Sequence, residues 1–367
     1  MKPIFFTNGK YQDNILNILI ENNHIAGLGY LPDENEADIE IIDIKGSIII
    51  PNLTDAHVQS LPSQEILAHS GITRIMSKQT GPSPIKTHLI SPLTKQRKGQ
   101  ELSEMLTLKE KGSIAFSDGN SPDNANLMRH CLDYSNPLDI PIIIRPNETS
   151  LTQQGVMNEG YTSTVLGLKG SPAIAESIRI KRDLQLLATY GGKIHFFPIT
   201  TAHSVQLIRD AKASHLNVTC GTAPHYLLKT ETDVEGYDTN TKTWPPLRTE
   251  TDRLALIEGL VDGTIDIIAS DHTELTLDEK QTDYNEAAFG TASFSTLIPS
   301  LFTLHQTHDI PMQTLINCVS YNPNRIFKLN HTPFGLSSKA SFTVIKLKPE
   351  PTITHTVIDG KLELRNC

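Results

Sequence analysis

The chain has 367 residues with 32 Lys and Arg against 41 Asp and Glu, a formal net charge of −9. Its cations are scattered, which excludes a nucleic-acid surface because phosphate binding needs a clustered basic footprint, and no apolar run reaches membrane-spanning length. The cysteines Cys131, Cys220, Cys318 and Cys367 are far apart and form no C-x-x-C pair, so free thiols in a reducing cytosol are expected rather than a disulfide framework or zinc knuckle. Met1-Lys2-Pro3-Ile4 lacks the apolar core of a signal peptide. The expectation is a soluble, cytoplasmic protein long enough for one large barrel plus a modest second domain.

In chain order, the N-terminal part reads as short strands separated by turns. Ile15-Leu16-Asn17-Ile18-Leu19-Ile20 is followed by a turn at Glu21-Asn22-Asn23-His24, then by Ile25-Ala26-Gly27-Leu28-Gly29. A polar stretch, Asp33-Glu34-Asn35-Glu36, precedes Ile39-Glu40-Ile41-Ile42-Asp43, which alternates like a half-exposed strand. The tail does the same in Ser341-Phe342-Thr343-Val344-Ile345 and Thr354-His355-Thr356-Val357-Ile358. Two β-rich ends around a different middle predict one small β-domain from residues 1–51 plus 331–367, with 52–330 as a separate unit.

The middle alternates apolar runs with helical patterns, as a parallel α/β protein does. Ile48-Ile49-Ile50-Pro51 reads as a buried strand with Thr54-Asp55-Ala56-His57-Val58-Gln59 at its end. Further strands are predicted at Ile72–Ser77, Ser113–Ser117, Ile140–Arg145, Ile194–Ile199, Val218–Ala223 and Ile265–Ala269, with another near Thr241–Trp244. Lys78 to Lys98, rich in Ser, Thr, Pro and Lys, reads as a long loop. Ser171-Pro172 makes an N-cap and N1 pair for a helix through Ala173–Thr189, and helices also fit His203–Ser214, Thr249–Val261 and Ser295–Thr307. About eight βα units result, the count of a TIM-type (β/α)8 barrel, whose active site lies at the C-terminal ends of its strands.

Polar residues directly after the apolar runs are therefore the candidates for chemistry. They are His57 and Gln59, Glu148 after Ile142–Ile144, Pro198 after Ile194–Phe197, His225 after Pro224, and Asp271-His272 after Ile265–Ser270. His57, Glu148, His225 and Asp271 have the composition to bind one metal and activate water. Against this, a lone imidazole near a strand end is commonly a hydrogen-bonded structural residue, and Asp271 can simply cap a helix. An Asp-x-His-x-His motif would aim two imidazoles at one ion, because alternate residues of a strand share a face. Here the second position is Gln59, a poor ligand for zinc.

Three stretches carry a resemblance: Ala223-Pro224-His225-Tyr226-Leu227-Leu228, Pro245-Pro246-Leu247-Arg248, and Asp262-Gly263-Thr264-Ile265-Asp266-Ile267-Ile268-Ala269-Ser270-Asp271-His272. They resemble dihydroorotases, cyclic amidohydrolases that interconvert carbamoyl aspartate and dihydroorotate in pyrimidine synthesis. Gly155-Val156-Met157-Asn158-Glu159-Gly160, Ala175-Glu176-Ser177 with Arg182-Asp183, and Asp278-Glu279-Lys280 before Ala288-Phe289-Gly290 add support. The resemblance covers essentially the whole chain, and allantoinases and hydantoinases are the nearest competitors. It implies an amidohydrolase-superfamily barrel with a small β-domain formed from both ends.

Carried over residue by residue, the family's site is damaged. The resemblance implies a zinc pair held by an H-x-H, an aspartate or modified lysine, two further histidines, and an aspartate that is also the general base. The first His is His57 and the second is Gln59; the bridging acid is Glu148, one methylene too long. The next ligand position is Pro198, with no donor atom, while the last His and the base are kept as His225 and Asp271. At the substrate positions the expected arginine is Leu61, an asparagine falls near Thr80, another is Trp244, and a histidine is Leu275. On this reading Asp271 is a vestigial base, and His57, Glu148, His225 and Asp271 are a vestigial metal set.

Two functions from different classes follow. The first is a non-catalytic pseudoenzyme with no cofactor, or at most one weakly bound zinc. It would act as a structural subunit beside aspartate transcarbamoylase, as inactive homologues do in bacteria, with a homo-oligomer left open. The second is an active cyclic amidohydrolase, using one metal or none on a different cyclic amide with Asp271 as base. A ligand-binding sensor with Trp244 over the pocket is a weaker third.

Overall fold

The computed structural model describes residues 2–12, 14–29, 39–79, 81, 83, 85–329, 334–347 and 350–365. Thr80, Cys367 and the polar stretch at 33–36 lie outside the described residues. Strands from both ends of the chain join one sheet. Its order runs Lys361–Arg365, Thr352–Ile358, Phe342–Lys346, Ile48–Pro51, Ile4–Tyr11, Asn14–Glu21, His24–Leu28, with Glu40–Asp43 pairing on Ile4–Tyr11. The two ends meet where Phe342–Lys346 runs antiparallel to Ile48–Pro51, Val344 opposite Ile49. Phe6, Ile18, Ile25, Ile49, Phe342 and Val344 form its dry core. Burying each such side chain contributes about 1.5–3 kcal/mol.

The second sheet is the predicted α/β barrel. Eight parallel strands follow in order: Thr54–Val58, Arg74–Ser77, Lys86–Ser91, Ala115–Asn120, Ile142–Arg145, Ile194–Phe196, Val218–Thr222 and Ile267–Ile268. A parallel bridge between Val58 and His272 brings the last strand's continuation against the first. The strand interiors are packed with Ile75, Phe116, Ile142, Ile144, Phe196, Cys220 and Ile268, all fully buried, which is what strands covered on both faces require. Helices such as Ala202–Ala213 and Glu250–Val261 lie outside it. The latter starts at a capping box in which Thr249 accepts from Asp252 N–H and the Asp252 carboxylate accepts from Thr249.

Four expectations are corrected. Ile48–Pro51 belongs to the sheet of the two ends, so Thr54–Val58 is itself the first barrel strand and His57 lies within it. The third strand, Lys86–Ser91, falls inside the stretch read as a loop; Lys86-Thr87-His88 is polar, and only Ile90 and Ser91 are buried. Thr241–Trp244 is not a strand but follows a 3-10 turn at Thr239–Thr241. Ser171 does not cap the long helix, which begins at Ile174; it pairs Gly170–Ser171 with Met157–Asn158, and its carbonyl accepts from Arg248.

Candidate functional site

The first and last barrel strands meet at the mouth, and the backbone there fixes three side chains. Asp271 N–H donates to His57 O at 3.1 Å and Gln59 N–H donates to His272 O at 2.9 Å. Asp271 is buried with φ +52, a left-handed conformation that few residues other than Gly, Asn and Asp adopt. The Gln59 side-chain nitrogen lies 3.1 Å from His57 Nε2 and 2.8 Å from Asp271 Oδ1. An amide nitrogen carries two protons, so one points at the imidazole and the other at the carboxylate. His57 Nε2 then accepts and its proton sits on Nδ1, which is buried without a partner. Burial holds His57 neutral, well below the usual histidine range, with the charges of Lys78 and Arg145 acting in the same direction. Burial pushes the Asp271 carboxyl upward, against the pull of Arg145, the Gln59 hydrogen bond and Lys78.

Above these residues opens a cavity of about 820 Å³, lined among others by Gln59, Arg145, Lys169, His225, Trp244 and Asp271. Trp244 meets Phe289 edge-on, with ring centroids 5.3 Å apart, and the pair forms an aromatic wall. Neither ring nitrogen of His225 has a hydrogen-bond partner, and burial pushes its pKa down to about 3. Arg145, at the end of its strand, is 18% exposed and lies 3.7 Å from Asp271 Oδ1. Its Nε is buried with no hydrogen-bond partner. Lys78 follows the second barrel strand, and its pKa is pushed down to about 8 by burial and by the neighbouring Arg145 and Arg97. Both cations sit at strand ends, so the rule that picked out Glu148 could have found them; a search confined to acids and imidazoles missed them.

The remaining expected residues fall elsewhere. Glu148 turns from the mouth: Oε2 accepts from Arg179 at 2.9 Å and Oε1 from the Ser150 hydroxyl at 2.7 Å. Pro198 is buried and Leu61 packs against the barrel core; neither lines the cavity, nor does Leu275. Of the four residues His57, Glu148, His225 and Asp271, Glu148 alone bonds outside the cavity lining, while His225 and Asp271 line one cavity and Gln59 joins His57 to Asp271. The long Glu148 side chain finds a buried guanidinium before it can reach the others.

A family model described as dihydro-orotase-like matches residues 84–204. The dihydroorotase of Carboxydothermus hydrogenoformans is 34% identical over 378 residues, spanning 94% of this chain and 87% of that one. The dihydroorotase of Caldicellulosiruptor saccharolyticus is 36% identical over 376 residues, with the same 94% and 87% coverage. The chain belongs to the dihydroorotase family. Among solved structures, an L-hydantoinase from Arthrobacter aurescens superposes with a TM-score of 0.84 at 18% identity, covering 100% of this chain and 96% of that one. A dihydropyrimidinase from Brevibacillus agri NCHU1002 gives 0.82 at 16% identity, covering 99% and 95%. At such identities these two speak for the fold alone.

The resemblance implies a zinc pair at the mouth, and the residues present here do not fit one. Zinc takes about four nitrogen, sulfur or carboxylate donors in close tetrahedral array. Among the described residues, no three of His, Cys, Asp and Glu gather into such a group. An amide nitrogen, a donor rather than a ligand, occupies the space between His57 and Asp271. Two side-chain cations, Arg145 and Lys78, act on the same carboxylate. Among the described residues no helix is long and apolar enough to cross a membrane.

Proposed function

We propose that this member of the dihydroorotase family is non-catalytic, and that it serves as a structural subunit with aspartate transcarbamoylase. One observation carries the first half: the Gln59 amide bonds to both His57 and Asp271, where a metal-binding relative needs lone pairs facing an ion. The loss of a donor at Pro198 and the capture of Glu148 by Arg179 support it. His225, with both nitrogens unpartnered, leaves at most one weakly bound zinc. The partner comes from the resemblance to inactive homologues that accompany transcarbamoylase. Docking would use the outer helices or a small β-domain of residues 1–51 plus 331–367, and leave the mouth unused.

A second reading has its own support. The Asp271 carboxyl, raised by burial and set in a large cavity, is suited to proton transfer, so a hydrolase acting on another cyclic amide is the alternative. Its relatives are named as dihydroorotases.

The test combines three measurements on the full chain. Elemental analysis is expected to give less than one zinc per chain, and carbamoyl aspartate is expected to show no ring closure. Gel filtration of the chain mixed with aspartate transcarbamoylase of its own organism is expected to give co-elution, with an interface of about 1,000 Å² or more. Two zinc per chain, or ring closure at about 1 per second or faster, overturns the non-catalytic reading. Independent elution overturns the subunit reading.

A further inference from the structure

The misfit to zinc leaves a mouth that supplies its own positive charge. Arg145 and Lys78 face one carboxylate there, Asp271. The other charged groups near Lys78 are committed. Asp118 accepts from the backbone N–H groups of Leu93 and Thr94 and from the Thr94 hydroxyl, while Arg97 donates to the carbonyls of Ile90 and Ser117. His57 is neutral. Arg97 and Asp118 offset each other beside Lys78, while Arg145, Lys78 and the cavity-lining Lys169 stand against Asp271 and the buried Asp55, so the balance beside the cavity is positive. Arg145 is also short of hydrogen-bond acceptors: its contact with Asp271 is 3.7 Å, beyond hydrogen-bond range, and its Nε has no partner. A half-buried guanidinium whose buried Nε has no acceptor is costly unless one is supplied.

We propose that the barrel mouth is a metal-independent binding site for a small organic monoanion with a flat apolar body, its anionic group held by Arg145 and its body against the Trp244–Phe289 wall. A planar fork of donors matches a carboxylate in bidentate fashion. The cavity, about 820 Å³, is far larger than an inorganic ion needs and within the range of small-molecule sites. The position where the resemblance implies a substrate arginine is Leu61, partly buried against the core, so Arg145 is a different anchor from the one the resemblance implies. The site does not depend on transcarbamoylase docking, and its failure and that of the subunit reading are separable because its test needs no partner.

Trp244 is the only tryptophan of the chain, so intrinsic fluorescence reads this wall directly. The full chain, treated with a chelator, is titrated with benzoate and with its neutral counterpart benzamide at millimolar concentrations. Benzoate is expected to give a saturable change, and benzamide to bind at least about tenfold more weakly, the cost of losing one charge-assisted contact. Arg145→Gln is expected to weaken benzoate by about tenfold or more while leaving benzamide little changed. If that variant loses its native circular dichroism, Lys78→Gln takes its place and is expected to weaken benzoate but not benzamide. No saturable signal with benzoate, equal binding of benzamide, benzoate binding that requires added zinc, or a variant with an unchanged benzoate-to-benzamide ratio overturns the proposal.

Discussion

Two buried polar clusters of this barrel come from the same family motifs, yet one is closed and the other open. In the closed one, Arg248 donates to Asn158 Oδ1 at 2.7 Å, to the Ser171 carbonyl at 2.9 Å and to Thr200 Oγ1 at 3.3 Å. The Thr200 hydroxyl in turn donates a hydrogen bond to Glu176, whose carboxylate also accepts from Thr200 N–H, Thr201 N–H and the Thr201 hydroxyl. In the open one, His57 Nδ1, both nitrogens of His225, Arg145 Nε and Asp55 Oδ2 are buried without partners. Buried polar groups in folded proteins are almost always paired, and each exception calls for an explanation. The closed cluster is explained by folding: it ties three loops and a helix start together. The open cluster is not explained that way; its Arg145 and His225 line the site proposed above for an organic anion.

The sharpest way to break this contrast is to cut the closed cluster. Arg248→Met removes the guanidinium but leaves Glu176, 1% exposed, as a buried carboxylate with one cation fewer beside it. Removing one partner from such a buried charged network costs about 3–5 kcal/mol. Urea unfolding followed by circular dichroism is expected to show that loss. A loss below about 1 kcal/mol, typical of a surface change, would mean that the closed network does not hold the loops.

Much of the architecture was legible because it rests on local pattern. The barrel class followed from apolar runs such as Ile142–Ile144 and Ile265–Ala269, and the pairing of the two ends in one sheet agrees with the alternation in Ile39–Asp43 and Phe342–Ile345. Lys86–Ser91 escaped because a strand whose first residues face solvent carries no apolar period. The site was half legible. Gln59 beside His57 is a local statement, true of any strand, and the structure shows the two side chains in contact. The direction of Glu148 is not local: it is decided by Arg179, 31 residues away in sequence. Arg145 and Lys78 were visible as letters, but the unpartnered Nε of Arg145 and the shared carboxylate Asp271 are properties of the packed molecule only.

Acid sharpens the comparison within the closed framework. His195 lies inside the barrel, its Nδ1 2.8 Å from Thr219 Oγ1 and its ring 5.2 Å from Phe327. Burial pushes its pKa down to about 3 from the ordinary value of 6.5. A histidine depressed in the folded state stays neutral while the unfolded chain takes up a proton. Its stability contribution is therefore complete above about pH 6.5 and is lost as the pH falls from there toward about 3. Each pH unit in that window costs about 1.4 kcal/mol per proton. His195→Gln keeps a hydrogen-bonding side chain without the titration. Its unfolding free energy is expected to fall less steeply between pH 6 and pH 4, by about 1.4 kcal/mol per unit. Identical slopes for the two proteins would show that His195 is protonated in the fold.

The smallest expected effect is the most discriminating, because it uses the same residue type in the other cluster. Arg145→Gln also removes a guanidinium, but a half-buried one whose nearest carboxylate oxygen is 3.7 Å away and whose Nε bonds to nothing. The carboxylate left behind loses only a cation held beyond hydrogen-bond range. Asp271 keeps the Gln59 donor at 2.8 Å and the charge of Lys78, and burial already favours its protonated form. Taking out a poorly paired, half-buried cation removes a desolvation penalty along with a weak attraction, and the two are of similar size. The change in unfolding free energy at neutral pH is expected to stay within about 1 kcal/mol, of either sign. A loss as large as that of Arg248→Met would erase the distinction between a guanidinium that closes a network and one that waits for an acceptor. It would then be necessary to regard the mouth as part of the barrel's framework and not as a site held open within it.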